Sequence, residues 1–498
     1  MVLPKPNPTK SYWIEAAESP LRDYRSSETL PEETDVAIIG SGYAGVSTAY
    51  WLHKYTEDAS TQPRVTILEA RDVCGAATGR NGGQLRPHLY SRYPIWRDRF
   101  GAAGAMHLIR HEHAHLSAFK ELCDAEGITK EVCLKLGETF DAAMTDEAWT
   151  RLSHALDEMR KDHGDENEIV KICRKIEDEV EAQEATQMKG ALKAIVHPSG
   201  QIWPYKFIHA LVRILLSTPN FSLYSHTSVT AVSERNSDGY ITLTTSRGTL
   251  RAKTVVHATC RWASHLLPEF ERLILPQLGA IAAIKAPEGF VKMTGAQHWD
   301  GMNYHLQLPP PYNVIIIGGA RQLLSHYPEI SILNDEDDKQ APGVPDFYKT
   351  WPAADVVDWP GPKVAELGFD VEQGGSWTGA HETSADGFPF VGALPSRSNQ
   401  FINAGYTGHG MSRILLSSAS LAPLVLDALG LQYSPPQLAA SYPALPQPFH
   451  ATEYRIAKLQ DTDPEKVLAN YRVECEASTR KPFCNIDRVK GIQSSPHL

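Results

Sequence analysis

The sequence lacks the features that mark secreted, zinc-stabilised and membrane-spanning proteins. Its 7 cysteines form no C-x-x-C pair and no cluster with histidine at metal-ligand spacing, so we predict neither a disulfide framework nor a metal site. No run approaches the ~18 consecutive apolar residues of a transmembrane helix. The opening residues, Met-Val-Leu-Pro-Lys-Pro-Asn-Pro, place proline where a signal peptide needs an apolar helical run. We therefore expect an intracellular, cytoplasmic protein.

An excess of positive charge is also absent. The formal net charge is −11, and no basic block of the kind that follows a phosphate backbone occurs. Nucleic acid and anionic membrane surfaces are therefore not expected as partners. The last four residues, Ser-Pro-His-Leu, are similar to a peroxisomal targeting signal but have proline where a small residue is needed. Peroxisomal import stays open as an alternative to a cytoplasmic location.

Length and composition favour a globular protein of more than one domain. At 498 residues, with 42% hydrophobic and 21% charged residues, the chain exceeds the size at which one core stops growing. Residues 1–33 are rich in proline, serine and glutamate, which predicts an arm laid over the surface rather than a part of the core. From Phe100 to about Leu192, apolar residues at three- and four-residue spacing predict helix.

The first ordered element is predicted to be a βαβ unit with a glycine-rich turn. The run Asp35–Ile39 predicts a strand, residues 44–55 a helix, and Val65–Leu68 a second strand. Between strand and helix lies Gly40-Ser41-Gly42-Tyr43-Ala44-Gly45, which fits G-x-G-x-x-G. Such a turn lets backbone N–H groups approach a pyrophosphate, whose charge the helix N-terminus favours. The unit therefore predicts a dinucleotide site.

Glu69 narrows the identity of the dinucleotide. It closes the second strand 24 residues after Gly45, where a carboxylate can accept hydrogen bonds from a ribose diol. The same negative charge repels a 2′-phosphate, so NADP is disfavoured, while FAD and NAD both remain open.

Two further glycine-rich segments favour a flavin. Thr78–Arg86 follows the second strand, and Gly405–Met411 precedes a helix predicted from about Met411 to Leu429. Glycines at both places allow the backbone to lie flat against a ring system, and a helix N-terminus near Gly410 can stabilise negative charge on a reduced flavin. A nicotinamide needs no such second site, so these segments point to FAD.

The order of these motifs resembles that of the D-amino-acid-oxidase-like FAD oxidoreductases, particularly the branch with gamma-glutamylputrescine oxidoreductase and the glycine and sarcosine oxidases. The similar segments are Ser11–Trp13, Ser41–Gly45, Gly79–Gln84, Trp377–Pro389 and Gly405–Gly410, so the resemblance covers residues 11–430. It implies an α/β (mixed α+β) fold, in which a Rossmann-like FAD-binding domain is joined to a substrate domain built on a large antiparallel sheet.

The resemblance also implies that the domains are discontinuous. The FAD-binding domain would comprise residues 34–90, 195–268 and 374–430, and the substrate domain residues 91–194 and 269–373. Residues 1–33 would form an N-terminal arm and residues 431–498 a C-terminal extension.

The motifs and the resemblance together predict the residues that bind the cofactor. They are Gly40, Gly42, Tyr43, Ala44, Gly45, Glu69, Ala70, Arg71, Thr78, Arg80, Asn81, Gly82, Gly83, Gln84, Val229, Ala258, Thr259, Gly405, Thr407, Gly408, His409, Gly410 and Met411. Some relatives attach FAD through a cysteine at the approximate position of Gly379, so the resemblance implies that FAD is bound non-covalently in this chain.

The residues that would contact the substrate are marked less clearly by sequence motifs than those that would bind the cofactor. In such proteins the strand with Tyr304 and His305 lies over the flavin, and alternation sends the two side chains to opposite faces. We predict Tyr304 and His409 as catalytic residues, with a core aromatic and a loop-holding histidine as the alternatives. Arg86 and His88 could meet a substrate carboxylate or amine, with surface positions as the alternative.

The resemblance implies an enzyme that oxidises the C–N bond of a small-molecule amine or amino acid. A hydride would pass from the α-carbon to flavin N5, the resulting imine would hydrolyse, and O2 would reoxidise the flavin to give H2O2. Two alternatives remain. One is a dehydrogenase or biosynthetic flavoenzyme of the same fold with another acceptor or substrate class, and the other is a flavin-binding protein without turnover.

Overall fold

The computed structural model describes residues 3–298, 303–319 and 375–463, together with positions 348, 356, 357 and 467. The Ser-Pro-His-Leu end and several stretches of the predicted segments 269–373 and 431–498 lie outside these residues. In the part of the chain that is described, each helix is too short or too polar to span a lipid bilayer.

The described chain contains both helices and strands. The strands are β1 (Glu33–Ile39), β2 (Val65–Leu68), β3 (Gln84–Leu85), β4 (Lys135–Ala143), β5 (Arg174–Ile176), β6 (Lys193–Gln201), β7 (Phe221–Tyr224), β8 (Val229–Val232), β9 (Ile241–Thr245), β10 (Gly248–His257), β11 (Ile274–Lys285), β12 (Ala296–His298), β13 (Asn303–Gln307), β14 (Val314–Gly319), β15 (Ser376–Ser384), β16 (Phe390–Ala393) and β17 (Gln400–Ala404). The helices are α1 (Tyr12–Glu15), α2 (Tyr43–Thr56), α3 (Tyr93–Ala125), α4 (Asp146–His163), α5 (Glu179–Thr186), α6 (Pro204–Leu216), α7 (Ala263–Leu266), α8 (Ile414–Leu429), α9 (Gln437–Ala440) and α10 (Glu453–Gln460).

An eight-stranded sheet, counted over the described residues, contains the predicted βαβ unit. Its path runs β16-β17-β10-β1-β2-β7, and β9 and β8 continue from β10 as an antiparallel ribbon. The strands from β17 to β7 are parallel to one another. Val36, Ala37 and Ile38 of the central strand β1 have no exposed area, as expected for a parallel sheet covered on both faces. The carboxyl ends of these strands meet at one edge, which is where dinucleotides bind in open α/β sheets.

Helices α2 and α8 pack against each other beside this sheet. The indole N–H of Trp51 on α2 donates a hydrogen bond of 2.8 Å to the carbonyl of Leu415 on α8. Because α8 begins where the loop of residues 405–411 ends, this packing holds that loop near the Gly40–Gly45 turn, from which α2 begins.

A nine-stranded sheet, again counted over the described residues, forms the second part of the fold. Its path is β15-β11-β14-β13-β12-β4-β6-β3, with β5 paired to β6. Neighbouring strands are antiparallel except for β12 and β4, which run parallel. The structure therefore confirms the predicted mixed α/β class with a large antiparallel sheet.

The prediction of continuous helix from Phe100 to Leu192 was wrong in part. Helices α3, α4 and α5 are interrupted by β4 and β5. In β4 the residues from Lys135 to Glu138 are exposed and those from Thr139 to Ala143 are buried, so the strand lacks the alternation that would reveal it. The helix predicted from Met411 begins at Ile414, because residues 410–412 form a 3-10 turn.

The sheets divide the chain differently from the predicted domain ranges. Strands β3, β6 and β15 come from the segments predicted for FAD binding but pair within the nine-stranded sheet, and β6 begins at Lys193, before the predicted boundary at residue 195. The domain ranges therefore stay a proposal.

The prediction that residues 1–33 lie outside the core was wrong for residues 11–14. Ser11 and Trp13 are fully buried, and the Trp13 ring meets the Trp203 ring edge-on at a centroid distance of 5.4 Å. The Trp203 indole also donates a hydrogen bond of 2.9 Å to the Trp13 carbonyl. The proline and serine content of the segment hid a short buried helix, α1, which has 4 residues.

Candidate functional site

A cavity of about 430 Å³ lies at the carboxyl edge of the parallel strands. Residues of several distant segments that were predicted to bind the cofactor or substrate come together in its lining. They are Gly40, Gly42, Tyr43, Ala44, Glu69, Ala70, Arg71, Thr78, Arg80, Asn81, Gly82, Gly83, Gln84, Val229, Ala258, Thr259, Tyr304, Thr407, Gly408, His409, Gly410 and Met411, and Arg86 and His88 join them. Gly45 and Gly405 do not line the cavity.

The three glycines of the first turn have different physical roles. Gly40 has φ +109°, and a Cβ there would lie 2.5 Å from the Ala258 carbonyl oxygen. A Cβ on Gly45 would lie 1.9 Å from the Gly40 oxygen, so both positions need glycine for the fold itself. Gly42 has φ −72°, and a Cβ there would make only an ordinary contact of 3.5 Å with the Thr78 hydroxyl. The described residues therefore leave open space beside Gly42 on the cavity side.

Glu69 holds the first turn from the side of the cavity. Its Oε2 accepts hydrogen bonds from the Ser41 N–H at 2.9 Å and the Ser41 hydroxyl at 2.7 Å, and its Oε1 accepts from the Arg71 N–H at 2.9 Å. A carboxylate has about four acceptor positions, so one remains for a ligand hydroxyl. The predicted contact with a ribose is thus compatible with the turn-holding role that the structure shows.

The second glycine-rich segment is fixed to its neighbours by hydrogen bonds. The Thr78 hydroxyl accepts from the Tyr43 N–H at 3.0 Å, which connects the segment to the first turn of α2. The Arg80 guanidinium donates to the Gly75 carbonyl at 2.9 Å and to the Thr378 carbonyl at 3.1 Å. The segment is therefore held in place beside the first turn and β15 while its residues line the cavity.

The loop of residues 405–410 has an unusual concentration of left-handed backbone. Gly405, Thr407 and Gly408 have φ of +86°, +55° and +65°. For a β-branched residue such as Thr407 this conformation is strained. Its hydroxyl accepts a hydrogen bond of 3.1 Å from the Ser384 N–H, which helps to hold it there. The loop is thus kept in a conformation that brings residues 407–411 to the cavity wall.

Glu112, on α3, connects three segments at this wall. Its Oε2 contacts His409 Nε2 at 2.9 Å and accepts a hydrogen bond from the backbone N–H of His88 at 2.7 Å. Its Oε1 accepts a hydrogen bond from the Arg413 guanidinium at 2.8 Å. Burial alone would raise the pKa of Glu112, but His409 and Arg413 bring that pKa well below its usual value. An ionised carboxylate can only accept, so Nε2 of His409 carries the proton of this bond.

His409 is therefore fixed in one tautomer. Burial lowers the pKa of His409, against the raising effect of Glu112, so the ring is neutral near pH 7. Its Nδ1 makes no hydrogen bond with any other described residue. The ring stacks on His88 at a centroid distance of 4.0 Å and an angle of 14°. A neutral acceptor is thus available at the cavity wall.

The Tyr304 ring lies in a slot between two glycines. A Cβ at Gly82 would lie 2.4 Å from the Tyr304 ring, and a Cβ at Gly318 would lie 2.1 Å from it. Because side chains alternate along β13, His305 lies on the opposite face, where its ring packs edge-on against the Phe140 ring at a centroid distance of 6.5 Å. Tyr304 therefore lines the cavity and His305 lies in the core.

Arg86 lines the cavity and is held by a buried carboxylate. Its Nη2 donates to Asp141 Oδ1 at 2.6 Å, and Asp141 Oδ2 accepts from the Tyr90 hydroxyl at 2.5 Å. Burial opposes ionisation of Asp141, but Arg86 and His197 lower its pKa below the usual value. Arg86 Nε is buried and bonds to no other described residue. The side chain thus brings a positive charge to the cavity wall.

Sequence reasoning missed a number of lining residues, among them the neighbouring pair Glu382 and Cys260. Glu382 Oε1 accepts from the Tyr406 N–H at 2.9 Å, and its Oε2 accepts from the Cys260 thiol. Burial raises the pKa of Glu382, and burial together with Glu382 raises that of Cys260. Glu382 lies within the segment Trp377–Pro389, which could have indicated it, whereas Glu112 is one charge among many on a helix.

The cavity fits the predicted cofactor on two independent observations. The space beside Gly42 would be filled by a Cβ that the protein itself does not exclude. The Thr259 hydroxyl is buried at the cavity wall and has no hydrogen-bond partner among the described residues. A buried polar group is normally satisfied, so a polar ligand is expected at this position.

A histidine and two carboxylates outside the cavity lining also come close together. Ligand-type atoms of Asp23, Asp72 and His226 lie within 4.8 Å of one another. Arg22 already pairs with Asp72 at 2.7 Å, and Asp23 and His226 are exposed. The cluster is therefore explained as surface ion pairing.

Comparison with known sequences gives one match over most of the chain and one over a short segment. The sequence model of the family described as FAD dependent oxidoreductase matches residues 35–423. A segment of 86 residues is 38% identical to gamma-glutamylputrescine oxidoreductase of Escherichia coli (strain K12). This alignment covers 17% of the chain and 18% of that protein, so it spans less than a fifth of the relative.

Solved structures share the fold at low sequence identity. Glycine oxidase from Geobacillus kaustophilus has a TM-score of 0.63 at 20% identity, covering 85% of this chain and 99% of that one. L-proline dehydrogenase from P. horikoshii has a TM-score of 0.59 at 17% identity, covering 83% of this chain and 98% of that one. At such identities the similarity establishes the fold alone.

Proposed function

This chain belongs to the family of FAD-dependent oxidoreductases, and we propose that it oxidises the C–N bond of a small amine or amino acid. The observation that carries the proposal is the convergence of three glycine-rich segments on one cavity that also exposes His409, Tyr304 and Arg86. The first segment supports binding of the pyrophosphate, and the second and third support binding of the ring system.

Bound FAD would supply the two-electron chemistry, in which a hydride leaves the substrate α-carbon for flavin N5 and the electrons later pass to O2 to give H2O2. The residues of the chain bind and orient the substrate. The neutral His409 ring offers Nδ1 as an acceptor for an amine N–H, and the Tyr304 phenol can pack on the substrate and hydrogen-bond to it. The oxidised product is an imine, which hydrolyses to a carbonyl compound without a further catalytic pair.

Arg86 favours a substrate that carries an anionic group. Its guanidinium is held by Asp141 at 2.6 Å, while Nε has no partner among the described residues. A substrate carboxylate would pair with the guanidinium charge at the cavity wall, whereas a simple alkylamine would offer it no anionic partner. We therefore propose that amino acids, or amines with a carboxylate, are better substrates than simple alkylamines.

An anaerobic screen of amines and amino acids for bleaching of the flavin absorbance tests this function. Reduction by at least one compound of this class is the expected result, and no reduction across the class would leave a flavin-binding protein without turnover. Peroxide formed during aerobic turnover identifies an oxidase. Reduction followed by slow reaction with O2 identifies the alternative, a dehydrogenase or biosynthetic flavoenzyme that uses another acceptor.

A further inference from the structure

Residues 3–13 lead from the wall of the proposed cofactor cavity to the core, although Pro6, Asn7 and Lys10 on the way are exposed. Leu3 and Pro4 are part of the cavity lining itself. Pro4, Pro6 and Pro8 alternate with other residues, and proline fixes φ and biases the preceding residue towards extended backbone. We call residues 3–13 the strap.

Hydrogen bonds join the strap to segments of both sheets that contribute to the cavity lining. The Arg71 guanidinium donates to the Lys5 carbonyl at 3.1 Å, next to Glu69 at the end of β2. The Thr9 hydroxyl accepts from the Arg80 guanidinium at 3.2 Å and from the Thr378 N–H at 3.0 Å. The strap therefore connects the second glycine-rich segment with β15 of the other sheet.

The end of the strap is anchored in the core. The Ser11 hydroxyl donates to the Gly79 carbonyl at 2.7 Å, and the Trp13 indole donates to the Asn81 carbonyl at 2.6 Å. Both side chains are fully buried. Since Gly79 and Asn81 belong to the segment predicted to bind the flavin, this anchor also fixes the backbone at the cavity.

We propose that the strap is part of the cofactor site and closes the cavity over bound FAD, so that its contacts set the rate at which FAD leaves. The proposal rests on the assignment of FAD to this cavity. A ligand covered by a segment of the chain can dissociate only after the segment moves, so contacts that hold the segment slow release without contacting the reacting atoms.

A reversible cross-link tests the closed position of the strap. The Thr9 and Thr378 hydroxyl oxygens are 3.1 Å apart, so cysteines at both positions are close enough to form a disulfide. In the full-length Thr9→Cys/Thr378→Cys protein loaded with FAD, oxidation should slow FAD release about tenfold, and reduction should restore it. The rise in flavin fluorescence after dilution measures the rate. Equal rates in the two states, with the disulfide verified by mass spectrometry, would overturn the proposal.

A second variant loosens the strap without a cross-link. Thr9→Val keeps the shape of the side chain but removes the hydroxyl, so FAD release should become about five- to tenfold faster. Thr29→Val is the matched control, because Thr29 lies in the same N-terminal region, is exposed and does not line the cavity. Single cysteine variants control for the native Cys260 thiol. An unchanged rate in Thr9→Val, in a protein that still binds FAD, would refute the strap and leave the proposed function intact.

Discussion

Single residues at the cavity wall have roles that depend on their partners. Glu112 has no exposed area, yet it remains ionised because His88, His409 and Arg413 all place hydrogen-bond donors against it. In return it fixes the tautomer of His409. The chemistry available at the cavity is therefore set by a residue that is not part of its lining.

We predict that Glu112→Gln destabilises the folded protein by about 3 kcal/mol near neutral pH, because the buried Arg413 cation loses its counter-charge. The folded-state pKa of Glu112 is depressed, so its contribution is complete above the unfolded value, about 4.3, and is lost as the pH falls through the folded value. Thermal unfolding from pH 3 to 7 should show a difference between variant and wild type that narrows in acid. A constant difference over this range would mean that the carboxylate is not ionised in the fold.

We predict that His409→Ala retains FAD but slows flavin reduction or reoxidation by roughly ten- to a thousandfold, the effect of losing one hydrogen-bonding group in a transition state. The His409 side chain bonds to Glu112 and stacks on His88 rather than on the first turn, so cofactor content should not change. Stopped-flow absorbance with a working substrate measures both half-reactions. His154→Ala is the control, since His154 is exposed on α4. Unchanged rates in His409→Ala would leave Tyr304 as the main candidate for contact with the amine.

At the scale of elements, the turn between β1 and α2 contains two glycines that the fold requires, Gly40 and Gly45, and one that it does not, Gly42. We predict that Gly42→Val folds but is isolated without flavin, because its Cβ meets only the Thr78 hydroxyl in the protein and would occupy space needed by the pyrophosphate. Circular dichroism and the ratio of flavin to protein absorbance measure the two properties. Full flavin content in the variant would mean that the cofactor lies elsewhere.

Elements built from local signals could be predicted from the sequence, and those built from distant pairing could not. The strand, turn and helix from Asp35 to Tyr55 are neighbours in sequence and carry their own periodicity. Strand β4 forms because Lys135–Ala143 pairs with Lys193–Gln201. The partner strand contains Pro198 and Gly200, residues that in a sequence are typical of turns. The glycine loops of the site were visible because each needs a special backbone, whereas Glu112 and Asp141 reach the site only through the packing of α3 and β4.

At the scale of the whole molecule, the cavity is lined by segments from both sheets and from the N-terminal strap. We predict that acid precipitation of the purified protein releases its yellow colour, because FAD is held there without a covalent bond. The resemblance places the attachment cysteine of some relatives at the approximate position of Gly379, where a Cβ would lie 2.9 Å from the Arg80 carbonyl oxygen. Cys260 lines the cavity, but burial and Glu382 raise the pKa of its thiol.

The absorbance spectrum of the supernatant measures this release. Colour that stays with the pellet would contradict non-covalent binding. Cys260→Ser would then identify the attachment point if the variant released its flavin on precipitation.

The central position of β1 has a consequence for synthesis of the chain. Glu33 of β1 is paired with Arg251 of β10, so one edge of β1 has no partner until β10 has been translated. At ~5–20 residues per second, the ribosome delivers β10 roughly ten to forty seconds after β1. Meanwhile an apolar strand displays unpaired N–H and C=O groups to other nascent chains. The strand that is best protected in the finished fold is thus exposed to aggregation while the protein is being made.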